Sequence, residues 1–314
     1  MGQLLLAAGG GVVSAAMYLS VIAGGLGALI LAYLAPLPLL LAGLGIGTAA
    51  VLAGGATALV TVAVVADPIV AAVFGLATLL PAFVVSRQAL LARAAADGTL
   101  EWYPPGRLVM ALAWLGVVLV VVAALAAADH PGGLQVWLER QLSASLGGFV
   151  EEADPAGGDG AGIVVPLSRV LPAIVVASWI TMIVANAALA QGLLMRLGRN
   201  RRPAMRMADL SLPPSALAGP AVAGFLALVL PEPTDYVALN AALVLAVPFF
   251  FAGLAVVHAF AQARNARPIV LVAFYGFLVL IQWMVPLVIC LGVVEQWAGL
   301  RRRLMRAGPS EEDV

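Results

Sequence analysis

Between Gln3 and Ala66 the chain carries no charged residue, and this stretch constrains the fold more than any motif does. A bilayer core holds no water, so a crossing backbone must satisfy its own N–H and C=O groups, which a helix does within one segment. A core about 30 Å thick takes about 20 helical residues. The run is thus long enough for about three crossings, placed at 3 to 23, 25 to 43 and 45 to 66. Gly24-Gly25 and Pro36-Leu37-Pro38 supply the breaks, and a re-entrant turn at the prolines reads equally well.

The rest of the chain follows the same bias. Apolar residues make up 63% and charged residues 10%, with a mean hydropathy of +1.07. Soluble domains are about a quarter charged, so a soluble enzyme is excluded. All 16 basic residues are arginine and are matched by 16 acidic ones, which gives no electrostatic case for nucleic acid. Cys290 is alone, so neither a disulfide framework nor a cysteine metal cluster is expected. The first basic residue is Arg87, so the first apolar segment is expected to stay in the mature protein.

Further spans are expected at 69 to 86, closed by Arg87, and at 108 to 128, after a polar segment in which Trp102-Tyr103 suits the membrane interface. The sixth, 168 to 195, ends in Arg196, Arg199, Arg201, Arg202 and Arg206, the strongest basic cluster between spans, which the positive-inside rule makes cytoplasmic. The seventh, 214 to 231, leads to Pro231-Glu232-Pro233, and the eighth, 236 to 263, returns to Arg264 and Arg267. One helix over 268 to 299 would put Arg301, Arg302, Arg303 and Arg306 outside. A hairpin broken near Gln282-Trp283 and Pro286 brings them back. The reading is an all-α polytopic bundle of about 8 to 10 spans, a single domain over 1–300 with a short tail over 301–314. Both termini are expected in the cytoplasm, in a bacterial cytoplasmic membrane.

The polar loop 129–166 carries Leu134, Trp137, Leu138, Leu142, Leu146 and Phe149 at helical spacing. This apolar stripe predicts a short amphipathic helix at the membrane surface, either packing on neighbouring spans or acting as a lid over an external cavity.

Intramembrane polar residues are the default functional candidates. Asn186, Asn240, His258 and Gln282 could line a small-molecule cavity, or could join helices. Glu295 is expected to pair with Arg264, Arg267 or Arg301. No nucleophile elbow, zinc-helix or P-loop spacing occurs, and there is no lysine for a phosphate loop. The expectation is a protein without catalytic activity, cofactor or metal. The small residues Ala7, Gly11 and Ala15 recur at helical spacing and permit close helix contact, internal or with a partner.

Three segments together carry a resemblance: Ala35-Pro36-Leu37-Pro38, the stretch from Phe249-Phe250-Phe251 to His258, and Leu291-Gly292-Val293-Val294-Glu295. In these the chain resembles the YybS-like family of bacterial membrane proteins, itself similar to the solute-capturing S components of energy-coupling-factor transporters. The resemblance implies a helix bundle with a small-molecule cavity, and separate coupling and ATPase subunits, the former docking on Ala7, Gly11 and Ala15. Glu295 stands where that family commonly has Asp, and the span count exceeds the six helices of a typical S component. The alternative is a scaffold or assembly factor whose arginine loops meet cytoplasmic proteins or anionic lipid.

Overall fold

The computed structural model describes residues 2–153, 161–262, 266–281 and 283–306, without the side chains of 146–153, 161–163 and 304–306. Gln282, the Gly157–Gly160 stretch and the side chains of Leu146 and Phe149 lie outside the described residues.

The helices are α1 (Gly2–Leu19), α2 (Gly25–Tyr33), α3 (Pro36–Gly45), α4 (Thr48–Val65), α5 (Pro68–Phe74) and α6 (Leu80–Ala89). After a small strand pair, β1 (Ala92–Ala94) and β2 (Leu100–Trp102), come α7 (Pro105–Ala126), α8 (Gly133–Ala153), α9 (Ala161–Arg196) and α10 (Ala218–Val229). They are followed by α11 (Thr234–Gln262), α12 (Arg267–Leu280), α13 (Met284–Ala298) and α14 (Leu300–Arg306). Among the described residues, seven helical stretches are long and apolar enough to cross a membrane. The shorter apolar helices Pro214–Val229, Arg267–Leu280 and Met284–Ala298 fall on the remaining expected segments. The molecule is an all-α polytopic membrane bundle.

Local chemistry sets the boundaries. Asp67 caps α5 as its Oδ1 accepts from the N–H groups of Ile69 (2.5 Å) and Val70 (3.3 Å), while Pro68 sits at the first helical position, where its missing N–H costs nothing. Gly299 closes α13 in the left-handed region at φ 56°. The polar segment after α6 holds the antiparallel strands, in register Arg93 to Glu101, turning at Asp97-Gly98 with Gly98 at φ 81°. The Asp97 carboxylate accepts from the Thr99 hydroxyl (2.7 Å) and N–H (3.0 Å), which hold its pKa below the ordinary value.

The chain divides into two compact units, one of residues 1–109 and 179–206, the other of 110–178 and 207–314. In the first, α1 lies on α4 with Ala7, Gly11 and Ala15 buried, and a Cβ on Gly11 would strike the Gly54 carbonyl. The stripe considered for partner docking is therefore occupied by the chain's own helix. Small residues let the two backbones touch, while Leu4, Leu5, Leu6, Val12 and Val13 face outward.

In the second unit, α8 docks through Leu134 on Ala127 and Tyr236, with Leu138 beside them. The amphipathic stripe thus packs on neighbouring spans at its start. The final apolar run breaks at Ile281, as expected, but not into a hairpin that returns alongside α11. A returning helix would run parallel to α11, whereas Gly253 faces Val288 and Gly292 faces Phe249, an antiparallel register. The two glycines allow α13 to press backbone to backbone on α11, and Pro286 sits in the first turn of α13, where a proline is tolerated.

Candidate functional site

A proline inside a helix leaves the carbonyl four residues earlier without its donor, and in a bilayer another group must supply one. Pro172 in α9 does this to Ser168, and the Tyr236 hydroxyl donates to the Ser168 carbonyl at 3.0 Å. One turn along α11, Asn240 bonds both groups of the next rung. Its Oδ1 accepts from Ala173 N–H (2.9 Å), and its Nδ2 donates to the Arg169 (3.0 Å) and Tyr236 (2.9 Å) carbonyls. Pro81 deprives Ala77 in the same way, and the indole of Trp179 donates to that carbonyl at 2.7 Å. At the Pro36 break Leu37 N–H turns to Leu34, and Asn186 donates to the Tyr33 carbonyl at 2.8 Å and to Met182 at 2.8 Å.

Of the expected cavity residues, Asn186 and Asn240 are thus helix clasps. Asn240 is fully buried and Asn186 is 3% exposed, and they fall in different units. His258 forms a hydrogen bond with the Tyr275 hydroxyl at 3.0 Å, joining α11 to α12. Within the second unit, Asn240 and His258 bond different partners. The amides stand out in the sequence, whereas Tyr236 and Trp179 do not. The signal was available in the prolines, since each one inside a span demands a donor from elsewhere.

The arginine cluster also divides. Arg202, 5% exposed, donates to the carbonyls of Ala89 (3.2 Å) and Tyr103 (2.9 Å) and lies 6.0 Å from the centre of the Trp102 ring. Burial pulls its pKa below the usual arginine value. Arg201 donates to the Ile46 carbonyl at 2.7 Å. These bonds gather the α3–α4 turn, the strand pair and the 197–206 segment at one end of the first unit. Arg196, Arg199 and Arg206 are exposed. At the same end, Leu91, Arg93, Glu101, Trp102, Tyr103 and Arg107 line a pocket of about 280 Å³, in which Arg93 and Glu101 form an ion pair at 2.6 Å.

The larger cavity, about 640 Å³, lies in the second unit where α13 ends. Of its three expected partners, Glu295 takes Arg301: Oε1 accepts from Nε at 2.8 Å and Oε2 from the backbone N–H at 3.2 Å. The same guanidinium donates through Nη1 to the carbonyls of Ala208 (2.8 Å) and Leu210 (2.7 Å), and Gln296 donates to the Pro213 carbonyl at 2.8 Å. This buried pair ties α13 to the 207–214 segment and forms one wall. Asp209, Ser211, Trp297 and Arg302 complete the rim, with Trp297 76% exposed. The site offers an indole face, a hydroxyl and charges of both signs around one opening.

Residues 161–295 match a family described as predicted membrane protein (DUF2232). No curated protein and no solved structure matches the chain. The matched segment runs from the start of α9 to Glu295 and contains Asn240, the Gly253 and Gly292 contacts and the 208–214 side of the larger cavity. Over that segment the chain is similar to membrane proteins whose family description names no activity, in keeping with the seven span-length helices.

Proposed function

We propose that this chain captures a small organic solute in the cavity between the end of α13 and the 207–214 segment, as the binding subunit of a transport system. The observation that carries this reading is the cavity itself. At about 640 Å³ it falls within the roughly 300–1,000 Å³ of small-molecule sites. Its wall is fixed by the Glu295–Arg301 pair, and Trp297 and Arg302 are placed to hold a flat, anionic solute. In the resemblance to S components, separate coupling and ATPase subunits supply the energy, and the chain itself carries out no catalysis. It resides in a bacterial cytoplasmic membrane with the arginine-rich 196–206 segment inside. The test is native mass spectrometry of protein extracted gently from its own membranes. A reproducible small-molecule adduct that disappears in Trp297→Ala and Arg302→Gln supports capture; an adduct unchanged in both variants, or none in the wild type, overturns it.

A second reading, a scaffold for cytoplasmic proteins, is favoured by the exposure of Arg196 and Arg199 beside the buried Arg202. It predicts a stable protein partner that is lost in an Arg196→Gln, Arg199→Gln double variant. Arg201 and Arg202 must be spared because they hold backbone carbonyls.

A further inference from the structure

The smaller pocket, in the first unit, has a different chemistry. We propose that it holds the phosphodiester headgroup of an anionic phospholipid. It sits where α6 ends and α7 begins, the polar ends of two span-length helices. Two guanidiniums, Arg93 and Arg107, face one carboxylate, and Glu101 is already engaged by Arg93 at 2.6 Å. The charge of exposed Arg107 is left for an anion, and a guanidinium matches phosphate oxygens in a planar, forked geometry.

Three observations make the ligand a lipid. The pocket, about 280 Å³, is just below the range for whole small molecules, and suits a headgroup whose acyl chains stay in the bilayer. Its walls include exposed Leu91 and the Trp102-Tyr103 pair, the apolar and aromatic surface that borders a membrane interface. It is also preorganised. Arg202 donates to the Ala89 and Tyr103 carbonyls and lies over Trp102, so the Trp102-Tyr103 wall is held before a ligand arrives. Exposed Arg87, Arg196, Arg199 and Arg201 in the same unit add to a field that draws anionic lipid.

The test adds phosphatidylglycerol or phosphatidylcholine with identical acyl chains to the full-length protein in neutral detergent and counts lipid adducts by native mass spectrometry. Phosphatidylglycerol adducts should dominate and fall about five-fold in Arg107→Gln, the factor expected for one interfacial arginine. A double variant, Arg93→Gln with Glu101→Gln, removes the ion pair but keeps Arg107, and should still prefer phosphatidylglycerol. Undiminished adducts in Arg107→Gln, or equal binding of the two lipids, would overturn the site. Displacement of phosphatidylglycerol by an equal concentration of soluble glycerol phosphate would overturn the lipid assignment and make the ligand a soluble phosphate.

Discussion

The Tyr236 hydroxyl donates to the Ser168 carbonyl, 3.0 Å away, in place of the backbone donor that Pro172 lacks. The partnership is testable by a double-mutant cycle. Tyr236→Phe should cost about 1 kcal/mol in the wild-type background, the net value of a typical hydrogen bond. With Pro172→Ala, residue 172 regains an N–H for Ser168, and the same change should cost close to nothing. Unfolding in detergent, followed by helical circular dichroism, measures both. Equal costs in the two backgrounds would mean that the hydroxyl does not stand in for the missing rung.

Asn240→Leu should destabilise by about 1–3 kcal/mol, because it leaves the Ala173 N–H and the Arg169 carbonyl buried without their partner. Asn186→Leu should show a smaller loss, since Asn186 donates to carbonyls and leaves no N–H stranded. Asn240→Leu should not change a small-molecule adduct, because both ends of that amide are committed to backbone. Loss of the adduct at unchanged melting temperature would return Asn240 to the solute site.

Where α13 meets α11, Gly292→Ala places a methyl against the Phe249 carbonyl and should cost about 1–3 kcal/mol. Gly276→Ala, on α12 with open space around it, should be neutral or slightly stabilising. Comparing the two melting temperatures separates backbone contact from helix propensity. If the two shifts match, the close α11–α13 packing is wrong.

Within the arginine cluster, Arg202→Gln should destabilise by about 1.5–3 kcal/mol, the range for a hydrogen bond to a charged group. Arg199→Gln, at an exposed position, should stay within about 0.5 kcal/mol. Thermal melts of the purified variants decide between them, and a silent Arg202→Gln would contradict its role as a clasp.

Much of the architecture was legible because the bilayer imposes one rule on every segment. Uncharged length located the helices, charges and Gly-Gly marked their ends, and the break near Trp283 was visible in the apolar run 268 to 299. The β1–β2 turn is also written in Asp97-Gly98, inside the polar segment between two spans. The candidate site was less legible. Asn186 and Asn240 stood out as buried amides, yet their partners lie 153 and up to 71 residues away. Nothing in the sequence marks Trp297, on the rim of the larger cavity.

The sequence by itself determined that this chain is helical and crosses a membrane several times, because hydropathy and backbone hydrogen bonding act within one segment. Only the tertiary structure decided which polar groups repair broken helices and which border a cavity. The same amide can clasp Ala173 or face a solute, and the choice depends on which carbonyls and N–H groups packing brings within about 3 Å.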